Sequence, residues 1–198
     1  MEFIKKWASC LFSFIAGALG LLLSLCTGMS NTVSITSPAL GINEVSESTT
    51  KAHKMLTDSS LATQAETYNA STEFGWLKAF SIIMMVVSIL LIVFAIVMLL
   101  KNVNVIKSDS SVFDICEIVL AGLLLVAVIG LVVSSTVYAG ALEEGITAAL
   151  GLKYASMISA LTISVSVSVG IYQWVMLVVG IISALAITTF NVLNRKSR

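Results

Sequence analysis

The feature that most constrains this chain is the stretch at residues 80–100, FSIIMMVVSILLIVFAIVMLL, which holds no charged residue, no glycine and no proline. As an α-helix rising about 1.5 Å per residue, it would be roughly 30 Å long, which is the thickness of a bilayer hydrocarbon core. It is apolar around its whole circumference, so it has no polar face to turn toward water. The stretch therefore predicts a membrane-spanning helix.

The composition of the whole chain agrees with a membrane location. Hydrophobic residues make up 58% of the 198 residues and charged residues only 11%, whereas a soluble domain carries about 25% charged residues. The formal net charge is zero, so we expect no nucleic-acid partner. The main predicted partner is the lipid bilayer.

We predict four spans, at about residues 7–27, 79–100, 113–138 and 172–193. They leave outer loops at about 28–76 and 139–170 and a short inner loop at about 101–111. The predicted fold class is an all-α membrane protein, a four-helix transmembrane bundle with small extracellular strand and helix segments. All 198 residues would form one membrane domain.

The first apolar run has two interpretations. Lys5 and Lys6, followed by an apolar run with small residues near its end, are typical of a cleaved signal peptide. Small residues spaced along the run, among them Ser13, Gly17 and Gly20, are typical of a retained span that packs closely on another helix. We favour the retained span, and the fate of residues 1–27 stays open.

Basic residues set the predicted orientation, because lysine and arginine accumulate on the cytoplasmic side of membrane proteins. In a four-span arrangement the same side holds Lys5, Lys6, Lys101, Lys107, Arg195, Lys196 and Arg198. This pattern predicts a multi-pass protein of the plasma membrane with both termini in the cytoplasm.

The outer loops carry signals for strands and for one weak helix. Residues 31–36 and 163–169 alternate between apolar and polar side chains, which favours strands. The second segment supplies the outer-strand candidates Ile163, Val165, Val167 and Val169. Pro38, Gly41 and Asn43 indicate a turn. Beyond residue 46, either a weakly amphipathic helix or a mobile loop fits the sequence, and whether the sequon at Asn69 is glycosylated stays open.

Small residues recur on several of the predicted spans at a spacing that allows close helix contact. We expect them to lie at contacts within the bundle or between subunits of a homo-oligomer. These helix-packing candidates are Ser13, Gly17, Gly20, Ser24, Gly130, Ser134, Gly180 and Ala184.

Few side chains suggest chemistry. Asp114 and Glu117 share a helix face at the inner end of the third span. We expect them to complement the dipole of the helix N-terminus, with a cation or proton site as the alternative. His53 is the only histidine and lies in a polar loop. We predict no catalytic, cofactor-binding or metal-binding residues, and we do not expect an enzyme.

In its topology the predicted layout resembles the claudin class of tetraspan proteins. Residues 30–75 of the first outer loop, however, contain neither the tryptophans nor the paired cysteines typical of that class. A shared layout alone implies little about function.

Three functions fit this layout. The leading hypothesis is a structural or assembly protein that self-associates through small-residue helix faces and outer strands. The first alternative is an oligomeric channel or large pore, and its possible pore-lining residues are Thr162, Ser164, Ser166 and Ser168. The second alternative is an accessory subunit that binds other membrane proteins.

Overall fold

The fold is described from a computed structural model of the chain. The structure describes residues 2–22, 29–39, 41–50, 54, 57–103, 105, 110–153, 164–169 and 171–196. Its helices are α1 (Glu2–Leu22), α2 (Ser59–Thr67), α3 (Ser71–Asn102), α4 (Ser110–Lys153) and α5 (Ile171–Lys196). Its strands are β1 (Met29–Ser37), β2 (Ile42–Thr50) and β3 (Ser164–Val169).

Three helices are long and apolar enough to cross a membrane. These stretches are Ser71–Asn102, Val112–Gly151 and Gln173–Leu193, and α1 adds the shorter apolar stretch Trp7–Leu22. Each of the three exceeds the length of about 20 residues that a bilayer core requires. The prediction of long apolar helices is therefore confirmed, and these three candidate membrane-spanning helices indicate a membrane protein.

The helices contact one another in a fixed order: α1 packs on α3 and α5, and α4 packs on the same two helices. One stripe of buried residues on α4 is spaced alternately three and four apart, namely Asp114, Glu117, Ala121, Leu124, Val128, Leu131, Ser135, Tyr138 and Leu142. This spacing is that of the left-handed packing seen in coiled coils. Large apolar side chains such as Val86, Val126 and Leu185 are exposed on the opposite faces, which suits contact with lipid.

Two helices extend beyond the predicted spans. α3 begins at Ser71 rather than near residue 79, and α4 continues to Lys153, through part of the predicted outer loop at 139–170. No proline interrupts either segment, and alanine, leucine and glutamate favour a helix beyond the membrane. The extension of α4 continues the core beyond the predicted span, because Ala139 and Leu142 are buried there.

A three-stranded antiparallel sheet joins the two segments that were predicted to be outer loops, with the strand order β2-β1-β3. β1 pairs with β2 from Met29↔Thr50 to Ser37↔Ile42, and with β3 from Asn31↔Val169 to Thr36↔Ser164. β1 and β3 lie where the alternating sequence predicts strands. Gly41 has a φ of 65° in the turn between β1 and β2, a conformation that glycine adopts without strain.

The segment after residue 46 differs from its prediction. Residues 46–50 belong to β2, because pairing with β1 overrides the weak local preference of a serine- and threonine-rich sequence. Lys54 and Thr57 are helical, and the next helix with defined bounds is α2, where the carboxylate of Asp58 accepts a hydrogen bond from the Ser60 amide. Hydrogen bonds from the side chain and the backbone of Ser60 lower the pKa of Asp58 below its ordinary value.

Candidate functional sites at the two ends of the helices

A wholly buried carboxylate lies near one end of the helices, where α1 and α4 begin and α3 and α5 end. Glu117 has no exposed surface. Ser9 donates a hydrogen bond to its Oε2 over 2.5 Å, Ser13 donates to its Oε1, and the Asn191 amide donates to Oε2 over 2.8 Å. These four residues, here called the Glu117 cluster, tie α4 to both α1 and α5.

The helix period brings the cluster together. Ser9 and Ser13 are one turn apart on α1, so both face α4. Asn191 is one turn beyond Ile187 on α5, and its amide also donates to the Ile187 carbonyl over 3.0 Å. That second bond fixes the orientation of the amide, because its nitrogen rather than its oxygen must face the two acceptors.

Contacts between neighbouring helices surround the cluster. Phe12 stacks on Phe190 with ring centroids 5.2 Å apart, and Cys10 donates to the Ala95 carbonyl over 2.9 Å. Lys101 lies 4.3 Å from the ring centroid of Phe113, a cation–π contact. These contacts fix the positions of all four helix ends around the buried carboxylate.

The surroundings of Glu117 differ from the predicted role, in which Asp114 and Glu117 complement the dipole of their own helix N-terminus. The dipole of a helix N-terminus acts mainly within the first turn. Glu117 lies beyond the first turn of α4, which begins at Ser110. Asp114 and Glu117 are also both buried, with relative exposures of 3% and 0%. Glu117 is therefore held by side chains of other helices rather than by its own N-terminus.

Sequence reasoning missed Ser9 and Asn191, and Ser13 was singled out only as a packing residue. The sequence did contain a signal for the inward face of α5. One face of this helix carries Gln173, Met176, Gly180 and Asn191, and the two polar side chains, Gln173 and Asn191, are 0% exposed. In a helix that is apolar all round, polar and small residues rather than hydropathy mark the inward face.

The predicted helix-packing residues face other helices of the same chain wherever they are described. A Cβ at Gly17 would lie 2.7 Å from the Ser88 carbonyl oxygen, and one at Gly180 would lie 2.9 Å from Val128. Gly20 lies against Ser88 and Met84, and Gly130 lies against the ring of Phe80. Ser134 and Ala184 are buried, Ser13 binds Glu117, and Ser24 lies outside the described residues.

At the opposite end of the helices, β3 packs against the outer part of α4. Val167 is buried, and Val165 and Val169 pack against the same core, whereas Ser166 and Ser168 are exposed. The Val167 amide donates to Glu143 over 3.2 Å, so α4 caps one backbone group at the free edge of β3. The outer-strand candidate Ile163 lies outside the described residues.

The possible pore-lining serines lie on this strand. Ser164 pairs with Thr36 of β1 in the sheet. The Ser166 hydroxyl is 2.5 Å from that of Ser34 on β1, and Ser168 is exposed. Thr162 lies outside the described residues.

β2 forms the other edge of the sheet and is open on both faces. Five consecutive residues, Asn43 to Glu47, are exposed, and Val45 retains 60% of its surface. Successive side chains of a strand point to opposite faces, so no helix covers either face of β2 there. We call residues 43–47 the β2 edge.

Neither end offers a transition-metal site among the described residues, because no three His, Cys, Asp or Glu side chains are grouped there. Comparisons of the chain with family models, with curated proteins and with solved structures find no match. We therefore infer function from the geometry of the Glu117 cluster and of the β2 edge.

Proposed function

We propose that this chain is a structural membrane protein that self-associates through the outer edge of its sheet. In this proposal it is a four-helix transmembrane bundle in the plasma membrane, with both termini in the cytoplasm. The observation that carries the proposal is the β2 edge, a stretch of strand exposed on both faces at the end of the order β2-β1-β3.

Two features support α1 as a fourth span rather than a removed signal peptide. α1 contributes Ser9 and Ser13, two of the three residues that bind Glu117. Its Cys10 also bonds to α3 at Ala95. Removal of α1 would leave the buried carboxylate without these donors, at a cost of about 1–3 kcal/mol or more.

The basic residues support the orientation. The helix ends around the Glu117 cluster include Lys5 and Lys6 of α1, Lys101 of α3 and Lys196 of α5. These residues share one end because neighbouring helices are antiparallel: Cys10 of α1 bonds to Ala95 near the end of α3, and Asn191 near the end of α5 bonds to Glu117 of α4. Positive residues favour the cytoplasmic side, which leaves the sheet outside.

The edges of the sheet support association through β2. An uncovered strand edge presents unpaired amide and carbonyl groups to which another strand can bind. At β3 the Val167 amide is already bound by Glu143, whereas the β2 edge is exposed throughout. Gly17, Gly20, Gly130 and Gly180 face partners within the chain, so the proposed association rests on the sheet.

The occupant we propose for the β2 edge is the β2 strand of a second copy. An antiparallel pair centred on Ser46 would place Glu44 opposite Ser48 and Glu47 opposite Val45. No two glutamates would then lie directly opposite each other, and the partner strand would bury part of the exposed Val45 side chain. The two sheets would join into one six-stranded sheet, twice the three strands of a single chain.

Disulfide crosslinking tests this pairing. Residues directly opposite in an antiparallel pair have Cα atoms about 4.5–5.5 Å apart, within the range that a disulfide spans. With Cys10, Cys26 and Cys116 replaced by serine, we expect Ser46→Cys to form a disulfide dimer in membranes under mild oxidation. Glu44→Cys, off the symmetry axis, should remain monomeric.

A charge variant provides the matched control. Val45→Glu would place two pairs of carboxylates opposite each other, each costing roughly 0.2–1 kcal/mol, so the Ser46→Cys dimer should weaken about two- to thirty-fold. Thr72→Glu adds the same charge at an exposed position outside the sheet and should leave the dimer unchanged. Equal crosslinking at Ser46→Cys and Glu44→Cys would show random collision and refute the proposal.

A further inference from the structure

The Glu117 cluster combines a carboxylate with donors that are all neutral. The bonds to Glu117 come from two hydroxyls and one amide, and the four residues are each at most 1% exposed. The described donors to Glu117 carry no charge, and a buried carboxylate that is paired only with neutral donors is expensive to keep ionised. The geometry of the site therefore bears on whether the Glu117 carboxyl is ionised or protonated.

Charged and titratable groups flank the cluster on three of the packed elements. Among the described side chains, α1 contributes the thiol of Cys10, α4 contributes Asp114, and α3 contributes Lys101 at its end. Lys101 lies over the Phe113 ring. α5 contributes the amide of Asn191, which cannot neutralise a carboxylate.

The cluster can satisfy both charge states without moving its heavy atoms. The ionised carboxylate accepts all three hydrogen bonds. When a proton binds one carboxylate oxygen, the new O–H can donate to the hydroxyl oxygen of Ser9 or Ser13, since a serine hydroxyl can both donate and accept. The released serine hydrogen can turn toward a carbonyl of the preceding turn of α1, as serines in helices commonly do.

Asn191 argues for a proton rather than a metal cation. A sodium or calcium ion would need the amide oxygen turned toward the carboxylate, but the amide nitrogen faces it. The bond to Ile187 holds the amide in this orientation. The oxygen, Oδ1, is buried and has no hydrogen-bond partner, so the cluster keeps an unused acceptor beside the carboxylate.

We propose that Glu117 is a proton-binding site within the membrane. The proton comes from water at the helix ends, about 10 Å along the axis of α4 from its first residue, Ser110. One O–H bond forms on the carboxylate, and the charge of the group changes from −1 to 0. No other bond breaks, and no other reactant is required.

Carbodiimide modification tests the proposal with the full-length protein in liposomes. Dicyclohexylcarbodiimide is an apolar reagent that modifies carboxyl groups in their protonated form. We expect mass spectrometry to locate its adduct at Glu117, with at least a tenfold fall in yield as the pH is raised. Glu143 and Glu144, at the opposite end of α4, should stay unmodified. Absence of an adduct at Glu117 at every pH would refute the proposal.

Glu117→Gln provides a second, independent measurement, because glutamine resembles a protonated glutamate in shape and charge. If the site binds a proton, this variant should fold, and its thermal unfolding midpoint should lie near that of the wild type at low pH. Its midpoint should lose the pH dependence that the wild-type midpoint shows. Glu144→Gln, a change at an exposed position, should keep the pH dependence of the wild type. If Glu117→Gln fails to fold, the carbodiimide mapping of the wild type decides alone.

A competition experiment separates the proton from a cation. At fixed pH and ionic strength, sodium chloride is exchanged for choline chloride during carbodiimide treatment. Equal modification in the two salts supports a proton site. Protection by sodium would overturn the proposal, because it would show that a cation occupies the carboxylate. None of these outcomes depends on pairing of the β2 edge.

Discussion

Single glycines determine how closely the helices approach one another. Gly17 of α1 faces Ser88 and Ile92 of α3, and a Cβ there would lie 2.7 Å from the Ser88 carbonyl oxygen. A backbone oxygen cannot rotate away as the end of a long side chain can. Gly122 of α4 is also helical, yet a Cβ there would meet nothing within 4 Å. The two glycines therefore form a matched pair.

We expect Gly17→Ala to destabilise the folded protein by about 1–3 kcal/mol, because the added methyl group forces α1 away from α3. Gly122→Ala should be neutral or stabilising by about 0.5–1 kcal/mol, since alanine favours a helix more than glycine does. Denaturant unfolding in detergent micelles measures both changes. Equal stability of the two variants would contradict the close contact of α1 and α3.

The composition of an apolar helix does not show on which face its polar residues lie. Ser88 is buried without a hydrogen-bond partner for its hydroxyl, and it lies beside Gly17 and Gly20. A serine in an apolar run has little influence on hydropathy. Its position on the inward face nevertheless allows the small residues of α1 to pack against it.

At the scale of elements, the outer part of α4 acts as the support of the sheet. The helix continues to Lys153, and its Glu143 accepts a hydrogen bond from the Val167 amide of β3. The alternation predicted β3, but local sequence did not reveal this cap, because Glu143 and Val167 are 24 residues apart in the chain.

Glu143→Ala should loosen β3, because it leaves the Val167 amide without an acceptor at a cost of about 1–3 kcal/mol. Hydrogen exchange of residues 164–169 should then accelerate about tenfold or more. Glu144→Ala removes an exposed neighbouring carboxylate and should leave that exchange unchanged. An equal effect of both variants would indicate that charge rather than the hydrogen bond holds β3.

At the scale of the whole molecule, one packed core connects the helices to the sheet. Its buried residues include Leu91 and Leu124 on the long helices, Ala65 of α2 and Val167 of β3. The Glu117 cluster and the sheet lie at opposite ends of this core. The proposed topology requires that residues near the two ends reach different sides of the membrane.

Thiol labelling of intact cells checks this requirement. With the native cysteines replaced by serine, Ser168→Cys on β3 should react with a membrane-impermeant maleimide added outside. Val105→Cys, which lies between α3 and α4 and is 67% exposed in the wild type, should react only after permeabilisation. Labelling of both positions from the same side would refute the proposed topology.

Several elements were predictable because their signals are local. The apolar runs predicted the three helices that can cross a membrane, and alternation predicted β1 and β3. β2 was missed because it forms by pairing with β1, from Ser37↔Ile42 to Met29↔Thr50. The Glu117 cluster was missed because its donors come from positions more than 70 residues away in the chain.

The sequence by itself determined that three helices are long and apolar enough to cross a membrane, because this capacity depends only on the length and polarity of each apolar run. Only the tertiary structure decided which face of each helix turns inward. A helix that is apolar on every side carries no hydrophobic preference for one face. Close packing of small residues and the hydrogen bonds of Glu117 supply that preference once the helices meet.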